Sequence, residues 1–308
     1  MNTKDLLALS LVKGIGSAYI KSNLHEIRES CSAEAYARIH DRFKTAELGE
    51  FIGKAESILA DCQDAGIEVL DIQKQEYPHR LFEINDPPPI LYVKGNKSLL
   101  DNALSIVGTR KSSALGNQIA SRLGEHFGQD FSICNGLVKG IDEHAVYSNG
   151  KILPNVIGVI SGGLCYRETC SQTHQKVIED VLFHNGLIVS ECHPKQKEDR
   201  FSGSRASRIQ AGLSKALILV QSSKVGGSKY TVSAFSRLNR TLGVVYFPDS
   251  PEFLAEGFEA NRMIVEGKLQ GLAAFVGLKK CINLNVKSIV PIRGRGDYDT
   301  LVQLIQEE

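Results

Sequence analysis

No Cys-x-x-Cys pair occurs among the seven cysteines of this 308-residue sequence, and an odd number of cysteines does not suit a disulfide framework. Neither sign of charge is in excess, because 36 basic and 35 acidic side chains leave a net charge of +1. No apolar run approaches the roughly 20 residues of a membrane span, and the first residues, with Lys4 beside Asp5, lack the pattern of a signal peptide. We therefore expect reduced thiols and a cytoplasmic protein without membrane association. Because the net charge is near zero, any anion-binding surface must be a local concentration of lysine and arginine.

What the sequence does contain, between residues 104 and 247, is one repeated pattern: a short apolar run, a turn with glycine, and a helix-like stretch. Each run is β-branched and apolar on both faces, which is typical of strands buried between two helix layers. The six runs cover residues 104–107, 131–134, 156–160, 187–190, 216–220 and 243–247. Alternating strands and helices predict an α/β fold with a mostly parallel sheet, and such sheets bind ligands at the carboxyl edge.

The turns that follow these runs share a chemistry. Residues 108–113, 136–140, 162–163 and 226–231 supply glycines throughout, and most of these turns add hydroxyl side chains or lysine and arginine. Backbone amides, hydroxyl donors and cations are the groups that hold a phosphate. The sequence therefore predicts an anion site along this edge. Arg110 and Lys139 stand out, because two long cations on neighbouring strand ends are hard to explain by packing.

A cluster of cysteine and histidine suggests a metal site. Cys165, Cys170 and His174, with Cys192 and His193 further along the chain, are of the types that ligate zinc. Their spacing is irregular, and Cys192-His193 follows a strand whereas the others open a helix. The sequence therefore favours ordinary thiols and no bound metal.

Three segments can be distinguished along the chain. Residues 1–70 are helix-like and charged, and their Lys13-Gly14-Ile15-Gly16 turn is typical of a helix-hairpin-helix module or of a plain tight turn. Residues 71–276 begin with a proline-rich strap over 71–98, which favours extended polyproline structure, and continue as the sheet. Residues 277–308 form a C-terminal tail that is too short for another independent domain.

Eight ordered blocks of this sequence resemble the DprA/Smf family of DNA-processing proteins. They are Tyr77-Pro78-His79-Arg80-Leu81, Asp86-Pro87-Pro88 with Leu91 and Gly95-Asn96, Ile106-Val107-Gly108-Thr109-Arg110 with Ser113 and Gly116, Gly136-Leu137-Val138-Lys139-Gly140-Ile141-Asp142, Ile188-Val189-Ser190-Glu191, Arg208-Ile209-Gln210-Ala211-Gly212-Leu213-Ser214, Gly227-Ser228-Lys229-Tyr230-Thr231 and Asn261-Arg262-Met263-Ile264. The resemblance covers roughly residues 76 to 267, and eight blocks in order are far more specific than any one glycine motif.

The resemblance implies an extended Rossmann-like sheet with helices on both faces, preceded by a small helical domain of the SAM or helix-hairpin-helix type. It implies binding of single-stranded DNA, a homodimer, and loading of a RecA-type recombinase in natural transformation, without catalysis or a cofactor. Arg110, Lys139 and Arg208 would contact phosphates. The complete set of residues predicted to bind DNA or phosphate is Gly108, Thr109, Arg110, Ser113, Gly116, Gly136, Lys139, Gly140, Gly162, Arg205, Arg208, Gly227, Ser228, Lys229 and Thr231. Asp142 is more simply interpreted as a residue that shapes the turn and caps a helix.

The sequence departs from the family pattern at three places. Leu115 replaces the aromatic residue usual after the Gly-Thr-Arg turn, a Tyr-Pro-x-x-Asn block near residues 168–172 is absent, and residues 203–207 replace a compact Arg-Asn-Arg. Aromatic stacking contributes about 1 to 3 kcal/mol per base in single-strand binders. Tyr166, Phe201 and Tyr230 are the candidates left to supply it.

Two other functions remain open at this point. Phosphoribohydrolases with related Rossmann-like folds carry a glutamate in a Pro-Gly-Gly-x-Gly-Thr-x-x-Glu turn, but the corresponding residues 226–234 contain none. Glu191 is the acidic residue at a strand end that could replace it as a general acid or base. The other alternative is a sensor that binds a free nucleotide. Either alternative could serve in anti-phage defence.

Overall fold

The computed structural model of the chain describes residues 1–40, 45–254 and 257–307. Its first part is helical, with α1 (Thr3–Leu11), α2 (Ser17–Ser22), α3 (Leu24–Glu29), α4 (Ala33–Ile39) and α5 (Thr45–Asp64). Leu6, Leu9 and Ile20 are fully buried among these helices, as expected for the apolar stripes of amphipathic helices. Gly14, with φ +94°, lies in the turn that joins α1 to α2, so the predicted glycine turn is a hairpin between helices. A contact of this hairpin with DNA stays a prediction.

The described residues form one nine-stranded sheet and a small two-stranded hairpin. In chain order the strands are β1 (Glu68–Asp71), β2 (Ile90–Gly95), β3 (Ala103–Val107), β4 (Ser132–Asn135), β5 (Tyr147–Ser148), β6 (Lys151–Ile152), β7 (Val156–Val159), β8 (Leu187–Ser190), β9 (Ala216–Leu219), β10 (Arg240–Val245) and β11 (Val286–Ile292). The large sheet runs β1-β2-β8-β7-β4-β3-β9-β10-β11. Within the sheet, the seven neighbouring strands β8, β7, β4, β3, β9, β10 and β11 are parallel to one another. Strand β2 pairs antiparallel with both β1 and β8. The predicted mostly parallel sheet is confirmed.

The strand order reverses between β3 and β9. From β3 the chain builds outward through β4, β7 and β8, and then returns to add β9, β10 and β11 on the opposite side. The chain therefore leaves β3 and β9 toward opposite sides of the sheet, and a crevice forms between the two connections at the carboxyl edge. Open α/β sheets bind ligands at such a reversal.

Helices cover both faces of the sheet. They are α6 (Ala114–Phe127), α7 (Ile141–Val146), α8 (Tyr166–Thr169), α9 (Gln172–Phe183), α10 (Ser202–Leu213), α11 (Ser228–Phe235), α12 (Pro251–Leu254), α13 (Glu259–Val276) and α14 (Gly296–Gln306). On one face, Tyr298 of α14 packs against His126 and Phe127 of α6. The central strands β3, β4, β7, β8, β9 and β10 are buried along their whole length, which explains why their sequences are apolar without alternation.

The six apolar runs predicted as strands are strands, with bounds that differ by a few residues at most. The strap contains more regular structure than its prolines suggest, because β2 crosses it and pairs on both sides. Residues 277–308 contribute β11 and α14 to the edge of the sheet. The division into domains at residues 70 and 276 stays a prediction. In the ranges that the structure describes, none of the helices combines the length and the apolar character needed to cross a membrane.

Candidate functional site

A cleft of about 710 Å³ opens at the carboxyl edge of the sheet, where the strand order reverses. We call it the carboxyl-edge cleft. Its lining residues are Val107, Gly108, Thr109, Arg110, Lys111, Gly136, Val138, Asp142, Val159, Ser161, Arg200, Phe201, Gly203, Ser204, Ala206, Ser207, Gln210, Gly227, Ser228, Tyr230 and Thr231. The turns after β3, β4, β7 and β9 thus meet here. Of the four glycine turns predicted from the sequence, three contribute lining residues, whereas the turn after β7 contributes Ser161 and neither Gly162 nor Gly163.

The turn after β3 is held in place by Gln221, which follows β9. The Thr109 N–H donates to the Gln221 carbonyl oxygen (2.8 Å), and the Ser113 N–H donates to Gln221 Oε1 (2.9 Å). Gly108 is required because a Cβ there would lie 2.8 Å from that same carbonyl oxygen. Sequence reasoning missed Gln221, since a glutamine after a strand carries no signal of its own.

The turn after β4 has an unusual backbone. Leu137 has φ +53°, a region that residues with a Cβ rarely adopt, and its buried side chain fills the space left by Gly158 on β7. Asn135 stabilises the turn by accepting a hydrogen bond from the Leu137 N–H (2.9 Å). The Asp142 carboxylate accepts another from the Gly136 N–H (2.9 Å). Asp142 therefore shapes the turn, as interpreted from the sequence, and also lines the cleft.

The third wall is the N-terminal end of α11. Gly227 and Ser228 lie at the start of this helix, and no hydrogen-bond acceptor for their backbone N–H groups is found within the described parts of the chain. The Ser228 hydroxyl is less available, because it is buried and donates to Ser222 Oγ (2.7 Å). Unpaired amides and the partial positive charge of a helix N-terminus favour an anion at this wall.

Four cations project at or beside the cleft. Arg110, Lys111 and Arg200 line it, and Lys139 stands on the neighbouring turn after β4. All four are exposed, and no carboxylate within the described ranges lies within 4.0 Å of their charged nitrogens. The cleft therefore presents positive charge that the protein itself does not neutralise.

Two arginines that the sequence predicted to bind phosphate instead form ion pairs with carboxylates of the protein. Arg208 Nε donates to Asp86 (2.9 Å) and its Nη2 donates to Glu191 Oε2 (2.7 Å). Arg205 pairs with Asp199 (3.1 Å) and lies 3.7 Å from Glu191. Neither arginine lines the carboxyl-edge cleft. Carboxylates of the protein itself therefore offset the charge that these two guanidinium groups would offer a phosphate.

Two predicted glycines have a packing role. A Cβ at Gly140, where φ is +97°, would lie 2.4 Å from the Thr109 carbonyl oxygen, and a Cβ at Gly116 would lie 2.2 Å from Gln221 Oε1. Gly140 thereby allows the turn after β4 to touch the turn after β3, and Gly116 allows α6 to approach the Gln221 side chain that follows β9. These residues build the cleft without lining it.

Three further predicted residues lie outside the cleft. Ser113 caps α6 by accepting from the Gly116 N–H (3.1 Å). Gly162 packs against Thr169 and residues 196–198, and Lys229 Nζ lies near Gly277 at the C-terminal end of α13, where a helix dipole attracts a cation. A phosphate contact by any of the three stays a prediction.

Aromatic side chains stand at the mouth of the cleft. Phe201 and Tyr230 line it and are 53% and 55% exposed, whereas Tyr166 lies elsewhere, under Lys94. The Arg200 guanidinium stacks over the Phe201 ring at 4.5 Å. Arg200 was missed from the sequence, although an arginine next to the exposed Phe201 was the available signal.

A second cavity of about 240 Å³, the side pocket, adjoins the cleft. Tyr230 and Ser204 line both cavities. The remaining lining residues of the side pocket are Glu83, Ile84, Asn85, Asp86, Arg208, Ser233, Ala234, Arg237 and Leu238. The strap, α10 and α11 therefore all contribute to its walls.

Asp142 has an altered pKa. Burial raises the pKa of this carboxyl to about 7, while the hydrogen bond from Gly136 and the charge of Arg110 offset part of the rise. In the unfolded chain the group titrates near 3.8. Between about pH 4 and 7 the folded protein thus binds more protons than the unfolded chain, and the contribution of Asp142 to stability falls as the pH rises through that window.

Asp142→Asn should remove this pH dependence. At pH 5 the carboxyl is protonated in the folded wild type but largely ionised in the unfolded chain, so part of the difference between the two proteins is already present. At pH 8 the folded wild type carries a buried charge that the amide lacks, so between pH 5 and pH 8 the variant should gain relative stability of at most about 3 kcal/mol. Denaturant unfolding of both proteins at pH 5 and pH 8 measures the difference, in which other titrating groups cancel. A difference that does not change with pH would contradict the raised pKa.

The cysteine and histidine side chains considered from the sequence as zinc ligands do not form a metal site in the described parts of the chain. The seven cysteines are free thiols, and within the described ranges no three His, Cys, Asp or Glu side chains lie close enough together to hold a metal ion. Burial raises the pKa of the Cys165 and Cys170 thiols, which lowers their reactivity as thiolates.

Comparison with known proteins agrees with the predicted resemblance. A family model described as DNA recombination-mediator protein A matches residues 68–268. The DNA processing protein DprA of Bacillus subtilis is 30% identical over 217 residues, which are 68% of this chain and 71% of that protein. Protein Smf of Synechocystis is 26% identical over 261 residues, which are 80% of this chain and 64% of that protein.

Two solved structures share the fold. The X-ray structure of DNA processing protein A from Streptococcus pneumoniae matches with a TM-score of 0.71 and 21% identity, and covers 87% of this chain and 93% of that one. DNA processing protein A from Helicobacter pylori, whose structure was described for its single-stranded DNA binding mode, matches with a TM-score of 0.56 and 24% identity over 68% of this chain and 94% of that one.

Proposed function

The chain belongs to the DNA recombination-mediator protein A family, also called DprA/Smf, and from this premise we propose that its carboxyl-edge cleft binds single-stranded DNA. The observation that carries the proposal is the meeting of Arg110 and Lys111, both exposed, with the amide-rich turns after β3, β4 and β9. Cations and backbone amides together bind phosphate oxygens. Lys139 and Arg200 extend the same charge along the path of a strand.

The aromatic residues favour a single strand over a duplex. Phe201 and Tyr230 are exposed at the mouth of the cleft, and an exposed ring stacks on a base that is not already stacked in a helix. Each such contact is worth about 1 to 3 kcal/mol and tolerates any base. A duplex offers its phosphates but hides the faces of its bases, so it forgoes this contribution.

Fluorescence anisotropy with labelled oligo-dT tests the proposal directly. Affinity should fall with salt, with a log-log slope of about −2 to −3 for the three or four cations that are free to neutralise phosphates. A blunt duplex should bind more weakly, and unlabelled AMP or ATP should compete poorly. Equal affinity for the duplex, or a slope near zero, would contradict strand binding, whereas efficient competition by a mononucleotide would favour the nucleotide sensor.

We propose further that the protein does not cleave nucleotides. Glu191, the carboxylate considered from the sequence, is held by Arg208 and lies outside the cleft. Asp142 is the one carboxyl among the described residues that line the cleft, and its position beside Gly136 is explained by the turn. Chromatography after incubation with AMP, ATP or NAD checks this. Steady product release that disappears in Asp142→Asn would establish an enzyme.

The partners follow from the same premise. We propose a homodimer and, in the cytoplasm, a RecA-type recombinase that is loaded onto the bound strand. A dimer would engage twice the number of phosphates and so raise avidity without new contacts. Light scattering at tens of micromolar reports the dimer, and RecA filament formation on protein-coated strands reports the loading. A strict monomer with no stimulation of RecA would leave strand binding in place and remove both partners.

A further inference from the structure

The side pocket has a volume and a lining that suit one base. Its apolar surface comes from Ile84, Ala234 and Leu238, and its entrance from the cleft is bounded by the half-exposed ring of Tyr230. At about 240 Å³ it is smaller than the about 300 Å³ at which drug-sized ligand pockets begin. A flat heterocycle that leaves a strand held in the adjoining cleft would reach it past Tyr230.

Asp86 gives the pocket a fixed hydrogen-bond acceptor. Its Oδ2 accepts from Arg208 Nε (2.9 Å), and Arg208 is itself anchored by Glu191 through Nη2 (2.7 Å). The carboxylate is therefore oriented, yet it stays 45% exposed, and within the described chain nothing donates to its Oδ1. A carboxylate has about four lone-pair sites, so Asp86, which lines the pocket, keeps most of its accepting capacity unused.

We propose that the side pocket receives one base of the bound strand and that Asp86 selects guanine over thymine there. The inference deepens the proposed function and rests on it, because the phosphates in the carboxyl-edge cleft position the base. A strand binder of this kind would tolerate any sequence at most positions and prefer guanine at one.

The hydrogen-bonding edges of the bases explain why a carboxylate would select guanine over thymine. Guanine presents two adjacent donors, N1–H and N2–H₂, which a carboxylate can accept together. Thymine presents a single N3–H between two carbonyl oxygens, and these oxygens are repelled by a negative charge. Adenine and cytosine, with one amino group each, should fall between the two. A site built to accept hydrogen bonds discriminates strongly against a ligand that cannot donate them.

The test uses two labelled 12-mers, oligo-dT and the same length with three isolated dG nucleotides, titrated on the full chain. We expect the wild type to bind the guanine-containing strand about tenfold more tightly. Asp86→Asn keeps an oxygen for Arg208 but turns the group that faces the pocket into a donor. The preference should therefore fall to twofold or less, with affinity for oligo-dT equal or higher because a negative charge has been removed.

Asp101→Asn is the matched control, since it removes an exposed carboxylate outside both cavities and should keep the tenfold preference. Thermal melting of each variant reports its folding. Equal wild-type affinity for the two strands, or a preference that survives in Asp86→Asn, would overturn the base pocket while leaving strand binding intact. Loss of binding to both strands in the wild type would instead overturn the proposed function, and the base pocket with it.

Discussion

Arg110→Glu is expected to weaken binding of oligo-dT by roughly 100-fold. The guanidinium is exposed at the lip of the cleft, and no carboxylate of the described chain pairs with it. A hydrogen bond to a charged group contributes about 1.5 to 3 kcal/mol, and the introduced carboxylate adds repulsion of the phosphate. The same variant should reduce the salt dependence by about 0.7 in log-log slope, because one fewer phosphate is neutralised. Anisotropy titrations at three salt concentrations measure both effects.

Lys151→Glu is the matched control for this charge reversal. Lys151 is exposed on the hairpin that precedes β7, at the opposite edge of the sheet, so the same change of two charge units should alter the affinity less than threefold at physiological salt. Both variants should melt within a few degrees of the wild type, since neither side chain is buried. A similar loss of affinity in both would mean that net charge, and not the cleft, determines binding.

The part of the fold that could be predicted is the part in which local sequence and tertiary environment agree. The strands β3, β4, β7, β8, β9 and β10 are buried on both faces, so each can be recognised as a mainly apolar run without knowing which strands lie beside it. β11 was not predicted, because it lies at the edge and mixes Lys287 and Pro291 with apolar residues. A proline is tolerated there since an edge strand has unpaired positions.

The candidate site was predictable where a cation directly follows a strand. Arg110 satisfies that condition, and the topology delivers it to the cleft. Arg208 carries the same charge and matches a family block, but its environment is set by Asp86, which is 122 residues away in sequence. No local pattern shows that a carboxylate from the strap will neutralise it. The sequence therefore gives the chemistry of a residue more reliably than its partner.

The buried guanidinium of Arg240 is a second case in which local sequence does not show the partners of a side chain. Its removal has the largest expected effect on the stability of the protein. It lies at the start of β10, under the last turn of α10, where helix carbonyls have no partner within the helix. Its donors reach the carbonyl oxygens of Ala211 (3.2 Å), Gly212 (2.9 Å), Ser214 (2.6 Å) and Arg80 (3.0 Å), and the carboxylate of Glu83 (2.8 Å). One side chain thus joins the end of α10 to the strap that forms one wall of the side pocket.

Arg240→Ala is expected to lower the free energy of unfolding by about 3 to 5 kcal/mol, since several buried carbonyl oxygens lose their donor at once. For a chain of this size the melting temperature should fall on the order of 10 °C. Arg237→Ala removes the same side chain three residues earlier, where it is exposed, and should change the stability by no more than about 0.5 kcal/mol. Denaturant unfolding of the two variants beside the wild type separates these outcomes. If Arg240→Ala were as stable as Arg237→Ala, the carbonyls at the end of α10 would have to be satisfied by water, and the guanidinium would not be what fastens the strap to the sheet.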